Sequence, residues 1–237
     1  MNLVHRSYQP ELLDADDIPA QDIRLNLREL NTINSRLGGH RATLLGFRQL
    51  LGKRKSITIC EIGCGGGDNL LAIYNWCRKN GVDVSLVGID LNPDCIAMAA
   101  ETLRAAPATL ITSDYRLTDP GPFSPDIIFS SLFCHHFRDQ DLEQMLTWMN
   151  RNAGTGFFIN DLHRHFLAYY SIKIITALFS NSYLVKNDAP LSVRRGFIRS
   201  EWNSLMNASG LTAYDLSWKW AFRWLLICPK KDDDDKR

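Results

Sequence analysis

Residues 59–71 read ICEIGCGGGDNLL, an apolar run followed by alternating glycines. The apolar residues predict a buried strand, and a helical pattern begins at Asp68. Gly63, Gly65 and Gly67 let the backbone turn sharply and approach a ligand without a Cβ in the way. The stretch therefore predicts a strand, a tight turn and a helix that together hold a ligand at the turn.

The flanking sequence alternates between short β-rich runs and helical runs, which is typical of parallel strands linked by crossover helices. The predicted strands are 57–62, 84–90, 109–113, 126–130 and 155–161, and the predicted helices between them are 68–79, 93–105 and 139–150. A long helix should follow residue 161, then an irregular piece near 187–195, a helix at 200–208 and strands near 211–217 and 223–228. We therefore expect an α/β fold, a Rossmann-like doubly wound seven-stranded sheet that is mostly parallel with an antiparallel last strand.

The chain has 237 residues, 45% of them hydrophobic, which is enough for one sizeable core. Apolar residues at helical spacing from about 10 to 55 predict an N-terminal helical cap at 1–55, ahead of a catalytic domain at 56–230. The charged tail at 231–237, KDDDDKR, resembles the remnant of an expression tag.

Charge and cysteine usage narrow the class of protein. The formal net charge is +1 and the basic residues are spread along the chain, which disfavours a nucleic acid partner. The six cysteines show no paired C-x-x-C spacing and the first residues show no signal-peptide core, so a cytoplasmic location is expected. The apolar stretch at 166–185 contains Lys173 and several polar residues, which favours a buried or pocket-lining helix over a transmembrane segment.

The residue after the third glycine indicates which ligand the turn binds. A dinucleotide-binding G-x-G-x-x-G loop needs a small residue at position 68, where this chain has Asp68. A carboxylate at a helix N-terminus disfavours an anionic pyrophosphate. A cationic sulfonium with an amino acid tail has no such conflict, and Glu61 at the strand end suits its positive charge.

Acidic residues also end the next two strands. Asp90 ends the second, where its carboxylate could accept hydrogen bonds from both hydroxyls of a ribose. Asp114 follows the third and could accept one from the amino group of adenine, although it could also be an ordinary turn or helix-cap residue. Three acids at the carboxyl ends of successive strands favour a nucleoside-containing ligand.

On these motifs, residues 57–161 resemble the class I S-adenosylmethionine-dependent methyltransferases. The E/D-x-G-x-G-x-G loop of that family corresponds to Glu61, Gly63, Gly65 and Gly67, and its acidic ribose ligand corresponds to Asp90. The resemblance implies that S-adenosylmethionine is the cofactor and S-adenosylhomocysteine its product.

The resemblance also assigns weaker positions. It implies that Leu91 packs on the adenine, that Asp114 binds the adenine amino group with Tyr115 beside it, and that Ser130 lies near the cofactor. The segment PDIIFSSLFCHHF at 125–137 resembles the ubiquinone and menaquinone biosynthesis methyltransferases. The whole chain is also similar to small-molecule methyltransferases found beside polyketide synthases that make phenolic lipids.

Histidines follow the fourth and fifth strands, at the edge where ligands bind in open parallel sheets. A phenol has a pKa near ~10, so a neutral imidazole could take its proton during methyl transfer. We predict His136 or His163 as this base, with His135 as a further candidate. Surface-loop and helix-capping roles remain open for all three.

The acceptor should lie under the N-terminal helices and the aromatic segment that follows residue 165. The predicted contacts to it are Arg164, Phe166, Tyr169 and Tyr170, although the aromatic ones could simply pack the helix against the sheet. Arg194 and Arg195 could bind a carboxylate or a phosphate on the acceptor.

The histidines and acids after the two strands also raise the question of a metal. Their spacing lacks a recognisable structural zinc pattern and methyl transfer from a sulfonium needs no metal, so we expect none. The expected activity is O-methylation of a phenolic, polyketide-type hydroxyl. The alternatives are C- or N-methylation of a quinone-like small molecule or of RNA, and an inactive cofactor-binding partner subunit.

Overall fold

A computed structural model describes residues 3–15 and 17–230, and the charged tail at 231–237 lies outside the described residues. The helices are α1 (Ala20–Arg36), α2 (Gly39–Leu51), α3 (Asp68–Asn80), α4 (Pro93–Thr102), α5 (Asp139–Asn152), α6 (Phe166–Phe179), α7 (Tyr183–Arg195) and α8 (Arg199–Ala208). The strands are β1 (Ser56–Ile62), β2 (Asp83–Asp90), β3 (Ala108–Thr112), β4 (Ile127–Ser131), β5 (Gly156–Leu162), β6 (Asp215–Lys219) and β7 (Arg223–Pro229). Short 3₁₀ helices lie at Leu12–Asp14, Tyr115–Leu117 and Cys134–His136.

The strands form one seven-stranded sheet in the order β3-β2-β1-β4-β5-β7-β6. Strands β1 to β5 pair in parallel, and β7 runs antiparallel to both β5 and β6. The expected Rossmann-like sheet with its terminal hairpin is therefore confirmed. The chain reverses its direction of winding between β1 and β4, and ligands of such sheets bind outside the carboxyl ends of the strands at this point.

Each face of the sheet carries its own apolar core. Trp202 of α8 and Met145 of α5 are buried on one face, and Phe47 of α2 and Leu70 of α3 are buried on the other. Helix α2 approaches the sheet closely because Gly46 has no Cβ, which would lie 2.6 Å from the Phe158 ring. The second half of the segment at 1–55 is therefore part of the layer that covers the sheet.

The segment after β5 differs from the sequence prediction. The predicted long helix ends at Phe179, and the piece expected to be irregular at 187–195 belongs to helix α7. Helix α7 contains Pro190, a residue that is unfavourable inside helices, and buries Leu184 and Leu191. The predicted strand at 211–217 begins only at Asp215.

A side chain of α1 fixes the junction between α6 and α7. The carboxylate of Glu29 accepts hydrogen bonds from the hydroxyl of Ser180 and from the backbone N–H of Asn181, the latter at 2.8 Å. Ser182 then begins α7 by accepting a hydrogen bond from the Val185 N–H. Among residues 3–15 and 17–230, no helix combines the length and apolar character that a membrane span requires.

Candidate active site

A cavity of about 830 Å³ lies at the carboxyl ends of β1, β2, β4 and β5. This volume falls within the range of small-molecule sites. The cavity floor includes the glycine loop and the end of β2, and apolar residues of α1 and α6, among them Leu27, Ile33 and Ile172, form an opposite wall. The 3₁₀ helix Leu12–Asp14 and helix α7 close the cavity further. The polar strand ends and the apolar helices thus enclose a common space.

The glycine loop needs residues without a Cβ. Gly63, Gly65 and Gly67 all have positive φ, at 67°, 50° and 76°. A Cβ on Gly63 would lie 2.3 Å from the ring of Phe133. Gly63 and Gly65 line the cavity, whereas the missing Cβ of Gly67 allows α4 to pack closely at Ala99. The glycines therefore serve both ligand approach and packing.

Glu61 brings an unpartnered oxygen to this cavity. Its Oε1 accepts a hydrogen bond from Asn69 Nδ2 at 3.2 Å, while its buried Oε2 has no hydrogen-bond partner among the described residues. Burial, with the negative charges of Asp68 and Asp90, raises the pKa of Glu61 well above its usual value. A ligand ammonium at Oε2 would relieve this cost.

Asp90 is held in place by the backbone. Its Oδ2 accepts from the Gly65 N–H at 2.8 Å, and its Oδ1 accepts from the Asn92 N–H at 2.9 Å. Burial raises the pKa of Asp90 although these hydrogen bonds oppose the shift. A carboxylate oxygen can accept more than one hydrogen bond, so Asp90 keeps acceptor capacity for ribose hydroxyls.

Arg223 is a cavity residue that the sequence analysis missed. Its Nη2 donates to Asn34 Oδ1 at 2.8 Å, while Nε and Nη1 are buried and find no acceptor within the part of the chain that the structure describes. Burial lowers the pKa of Arg223 to about 10. An anionic ligand group would supply the missing acceptors. The residue lies in β7, where its neighbours are apolar and indicated only a core strand.

A chain of alternating acids and imidazoles forms one side of the cavity. In order it contains Asp161, His135, Glu11, His136 and Asp14, and we call it the histidine–carboxylate cluster. His135 Nδ1 is 2.8 Å from Asp161 Oδ1, and His136 Nδ1 is 3.2 Å from Asp14 Oδ1. Both Nε2 atoms face Glu11, at 3.6 Å for His135 and 3.7 Å for His136.

The cluster shifts the pKa values of its members. Burial opposes a positive charge on His135, but Asp161 and Glu11 outweigh it and raise its pKa to about 9. Burial alone would raise the pKa of Asp14, but His136 outweighs it and lowers that pKa to about 2. Burial would likewise raise the pKa values of Glu11 and Asp161, but the neighbouring histidines outweigh it and lower both. All three acids are therefore carboxylates at neutral pH.

The family model of a methyltransferase domain matches residues 59–156, from β1 to the start of β5. This segment is therefore similar to the methyltransferase-domain family. The match covers the glycine loop, Asp90 and both histidines of the cluster, while the acids of the cluster lie outside it. The comparison with curated proteins gives no match.

Solved structures of several methyltransferases share the fold of this chain. The plantazolicin methyltransferase BpumL in complex with SAH is 17% identical, with a TM-score of 0.65 over 91% of this chain and 92% of that one. Human N-acetylserotonin methyltransferase in complex with SAM is 13% identical, with a TM-score of 0.62 over 94% and 63%. Magnesium protoporphyrin IX methyltransferase from Synechocystis PCC 6803 with bound SAM is 11% identical, with a TM-score of 0.56 over 85% and 84%.

The remaining residues predicted to contact the cofactor lie partly in the cavity lining and partly outside it. Leu91 lines the cavity. Ser130 is buried against Cys134, and the cavity instead contacts Ser131. Tyr115 packs edge-on against Trp148 in the core.

Asp114 is not among the described residues that line the cavity. It caps the 3₁₀ helix Tyr115–Leu117 and forms an ion pair with Arg116 Nη2 at 2.6 Å, which lowers its pKa. The capping role that the sequence left open is thus present. Adenine recognition by Asp114 stays a prediction.

The predicted acceptor contacts are not among the described residues that line the cavity. Arg164 is buried in a bidentate ion pair with Glu201 and does not reach the cavity. Phe166 and Tyr170 are exposed, and Tyr169 packs against Tyr170 on the outer side of α6. The face of α6 toward the cavity carries Ala168, Ser171, Ile172 and Ile175. The sequence located the helix correctly, but aromatic character did not indicate which face lines the cavity.

The three histidines predicted as possible bases do not all lie at the cavity. His135 and His136 line the cavity, whereas His163 packs against Trp224, outside the described cavity lining. Burial, together with the nearby His165 and Arg164, lowers the pKa of His163 to about 4. The structure thus does not support His163 as the base, because its imidazole does not face the cavity.

Proposed function

We propose that the protein transfers a methyl group from S-adenosylmethionine to the hydroxyl of a small, lipophilic or aromatic acceptor, such as a phenolic polyketide. The observation that carries this proposal is the common cavity, in which the glycine loop and Asp90 share one space with an apolar wall and with His136. Methyl transfer requires donor and acceptor side by side in a site that excludes water.

The polar end of the cavity fits the cofactor. Glu61 Oε2 would bind the ammonium of the methionine part, and Asp90 would accept the ribose hydroxyls. Arg223 would bind the carboxylate through its unpartnered Nε and Nη1. Glu61, Asp68 and Asp90 make this end acidic, which favours a cationic ligand over a pyrophosphate.

Bound S-adenosylmethionine would supply a methyl group that its sulfonium already activates. The protein would therefore act chiefly by alignment and by excluding water. The apolar residues of α1 and α6, among them Leu27 and Ile172, would bind the acceptor ring or chain.

His136 is the residue we propose as general base. Its ring is 23% exposed and lies on the cavity wall, and Asp14 fixes its Nδ1. An Nδ1–H directed at Asp14 leaves Nε2 free to take the proton of an acceptor hydroxyl. His135 is fully buried with a pKa of about 9, so it is protonated at neutral pH and holds the cluster in place instead.

Calorimetric titration with S-adenosylmethionine, S-adenosylhomocysteine and NAD tests the cofactor assignment. We expect the two adenosyl ligands to bind, NAD not to bind, and Asp90→Ala to abolish adenosyl binding. Asp119→Ala, in an exposed turn near β4, is the matched control and should bind normally. Binding of NAD alone, or adenosyl binding that survives in Asp90→Ala, would contradict the assignment.

Identification of the acceptor follows from product analysis. Phenolic lipids and quinols should gain one methyl group in mass spectrometry, and fragmentation locates it on oxygen, carbon or nitrogen. Methylation on carbon or nitrogen would replace the O-methyltransferase assignment, and cofactor binding without any product would favour an inactive partner subunit.

A further inference from the structure

The distances within the histidine–carboxylate cluster are too long for hydrogen bonds at its centre. The Nε2 atoms of His135 and His136 lie 3.6 and 3.7 Å from the two carboxylate oxygens of Glu11. An N–H···O hydrogen bond spans about 2.7–3.2 Å. Donor atoms that share a metal ion at about 2.1 Å lie roughly 3.0–3.5 Å apart. The distances of 3.6 and 3.7 Å are slightly longer than this range, and the ligand atoms of the three residues all lie within 4.8 Å of one another, so a small side-chain movement would complete the site. We propose that Glu11, His135 and His136 bind a divalent first-row transition metal cation at the cavity wall.

The surroundings of these residues are those of a metal site. In protein metal sites, the ring nitrogen that does not bind the metal usually donates to a carboxylate. Here Asp161 takes this position for His135 and Asp14 takes it for His136. The third ligand is also fixed, because Glu11 Oε1 accepts a hydrogen bond from Ser192 Oγ at 2.7 Å. Both imidazoles therefore direct Nε2 toward Glu11.

The local charge also favours a cation. Glu11, Asp14 and Asp161 are carboxylates, and the facing guanidinium is that of Arg195, 3.4 Å from Asp14 and 4.0 Å from Glu11. A second nearby guanidinium, that of Arg6, forms an ion pair with Asp139. A bound cation would displace the Nε2 proton of His135, and with both imidazoles neutral the cluster keeps an excess of two negative charges, which one divalent cation would balance.

Two histidines and one carboxylate leave coordination positions open on the cavity side, since all three residues line the cavity. A cation here would hold an oxygen of the acceptor and lower the pKa of its hydroxyl, with the proton passing to solvent. This role rests on the proposed function, whereas binding of the cation does not. His136 would act as base only in the metal-free form, because its Nε2 cannot bind a cation and a proton together.

The test is titration of the full chain with Co²⁺, followed by visible absorption and calorimetry, with Zn²⁺ as competitor. We expect about one equivalent to bind with the ligand-field bands of a nitrogen and oxygen site. Glu11→Gln and His136→Ala should weaken binding by about 100-fold. His165→Ala is the control, since His165 caps α6 outside the cluster, and it should bind like the unchanged chain.

Two further measurements keep this test decisive. Circular dichroism and thermal melting identify variants that have kept the fold. In the unchanged chain, Co²⁺ should also shift two exchangeable imidazole proton signals in the NMR spectrum, those of the Nδ1–H groups held by Asp161 and Asp14. Equal Co²⁺ affinity in all folded variants, or no shifted imidazole signals, would overturn the proposal. Loss of S-adenosylhomocysteine binding alone would contradict the proposed function and leave the metal site standing.

Discussion

The Nδ1 atom of His135 lies 2.8 Å from Oδ1 of Asp161, and both side chains are buried. The same carboxylate accepts hydrogen bonds from the backbone N–H groups of His135 and Leu162. The pair thereby fixes the end of β5 to the turn after β4. A buried residue of the sheet, Asp161, thus helps to orient His135 in the cavity wall.

Replacement of this carboxylate should therefore destabilise the fold. Asp161→Asn keeps the shape but leaves His135 as a buried imidazolium without its charged partner, which should cost about 3 kcal/mol. Chemical denaturation measures the free energy of unfolding, and Asp119→Asn in an exposed turn provides the reference. A change below about 1 kcal/mol would mean that the pair contributes no more than a surface ion pair.

His136→Ala tests the catalytic assignment. Removal of a general base should lower kcat by about 10²–10⁴ and leave the affinity for S-adenosylhomocysteine unchanged. His163→Ala should keep kcat, because His163 faces Trp224. Equal losses in both variants would indicate a structural effect shared by the two histidines.

Arg223→Met tests whether the guanidinium binds the cofactor. Loss of a charge-assisted bidentate contact should weaken S-adenosylhomocysteine binding by about tenfold or more. Lys219→Met, on the neighbouring strand β6, removes the same charge outside the cavity lining and should bind normally. If cofactor affinity is retained while KM for the acceptor rises, Arg223 binds the acceptor instead.

Gly63→Ala, compared with Gly81→Ala, distinguishes a steric clash of the new Cβ from the cost of a positive φ. Gly81 has nearly the same φ, 63° against 67°, but nothing lies within 4 Å of its missing Cβ. Gly81→Ala should cost about 1 kcal/mol through backbone strain alone. Gly63→Ala should cost more and abolish cofactor binding, because its Cβ meets the Phe133 ring. Thermal melting with and without S-adenosylhomocysteine distinguishes the two effects.

His163 should make stability depend on pH. Its pKa falls from 6.5 to about 4 on folding, so between these values the unfolded chain binds more protons than the folded one. Stability should therefore decrease as pH falls from 6.5 to about 4, and His163→Gln should reduce this decrease. An unchanged pH profile in the variant, measured by chemical denaturation, would assign the dependence to other groups.

The sequence predicts those parts of the molecule that local signals specify. The glycine loop, the acid at the end of β2 and the alternation of strands and helices are all short-range patterns, and they predict the positions of the strands and a mostly parallel sheet. Helix α7 was missed because Pro190 is a breaker in local terms, whereas buried contacts of its other residues hold the helix together.

The cavity wall that contains the histidine–carboxylate cluster is formed by segments that are distant in the sequence. Glu11 is in the N-terminal segment and His135 follows β4, so spacing could not indicate that they meet. Arg223 carries no local signal because it stands in an apolar strand. Its unpartnered nitrogen atoms become visible only when the burial of each atom is known.

The connections of α7 have a consequence for biosynthesis. Asp188 accepts hydrogen bonds from the backbone N–H groups of Leu12 and Leu13, and Ser192 donates to Glu11. Residues 11–13 emerge from the ribosome before helix α7, which supplies these hydrogen-bond partners. The sheet strands β1 to β5 can pair before α7 is made, but the acceptor side forms only afterwards. A nascent or truncated chain that ends before α7 would therefore carry the glycine loop without a closed cavity.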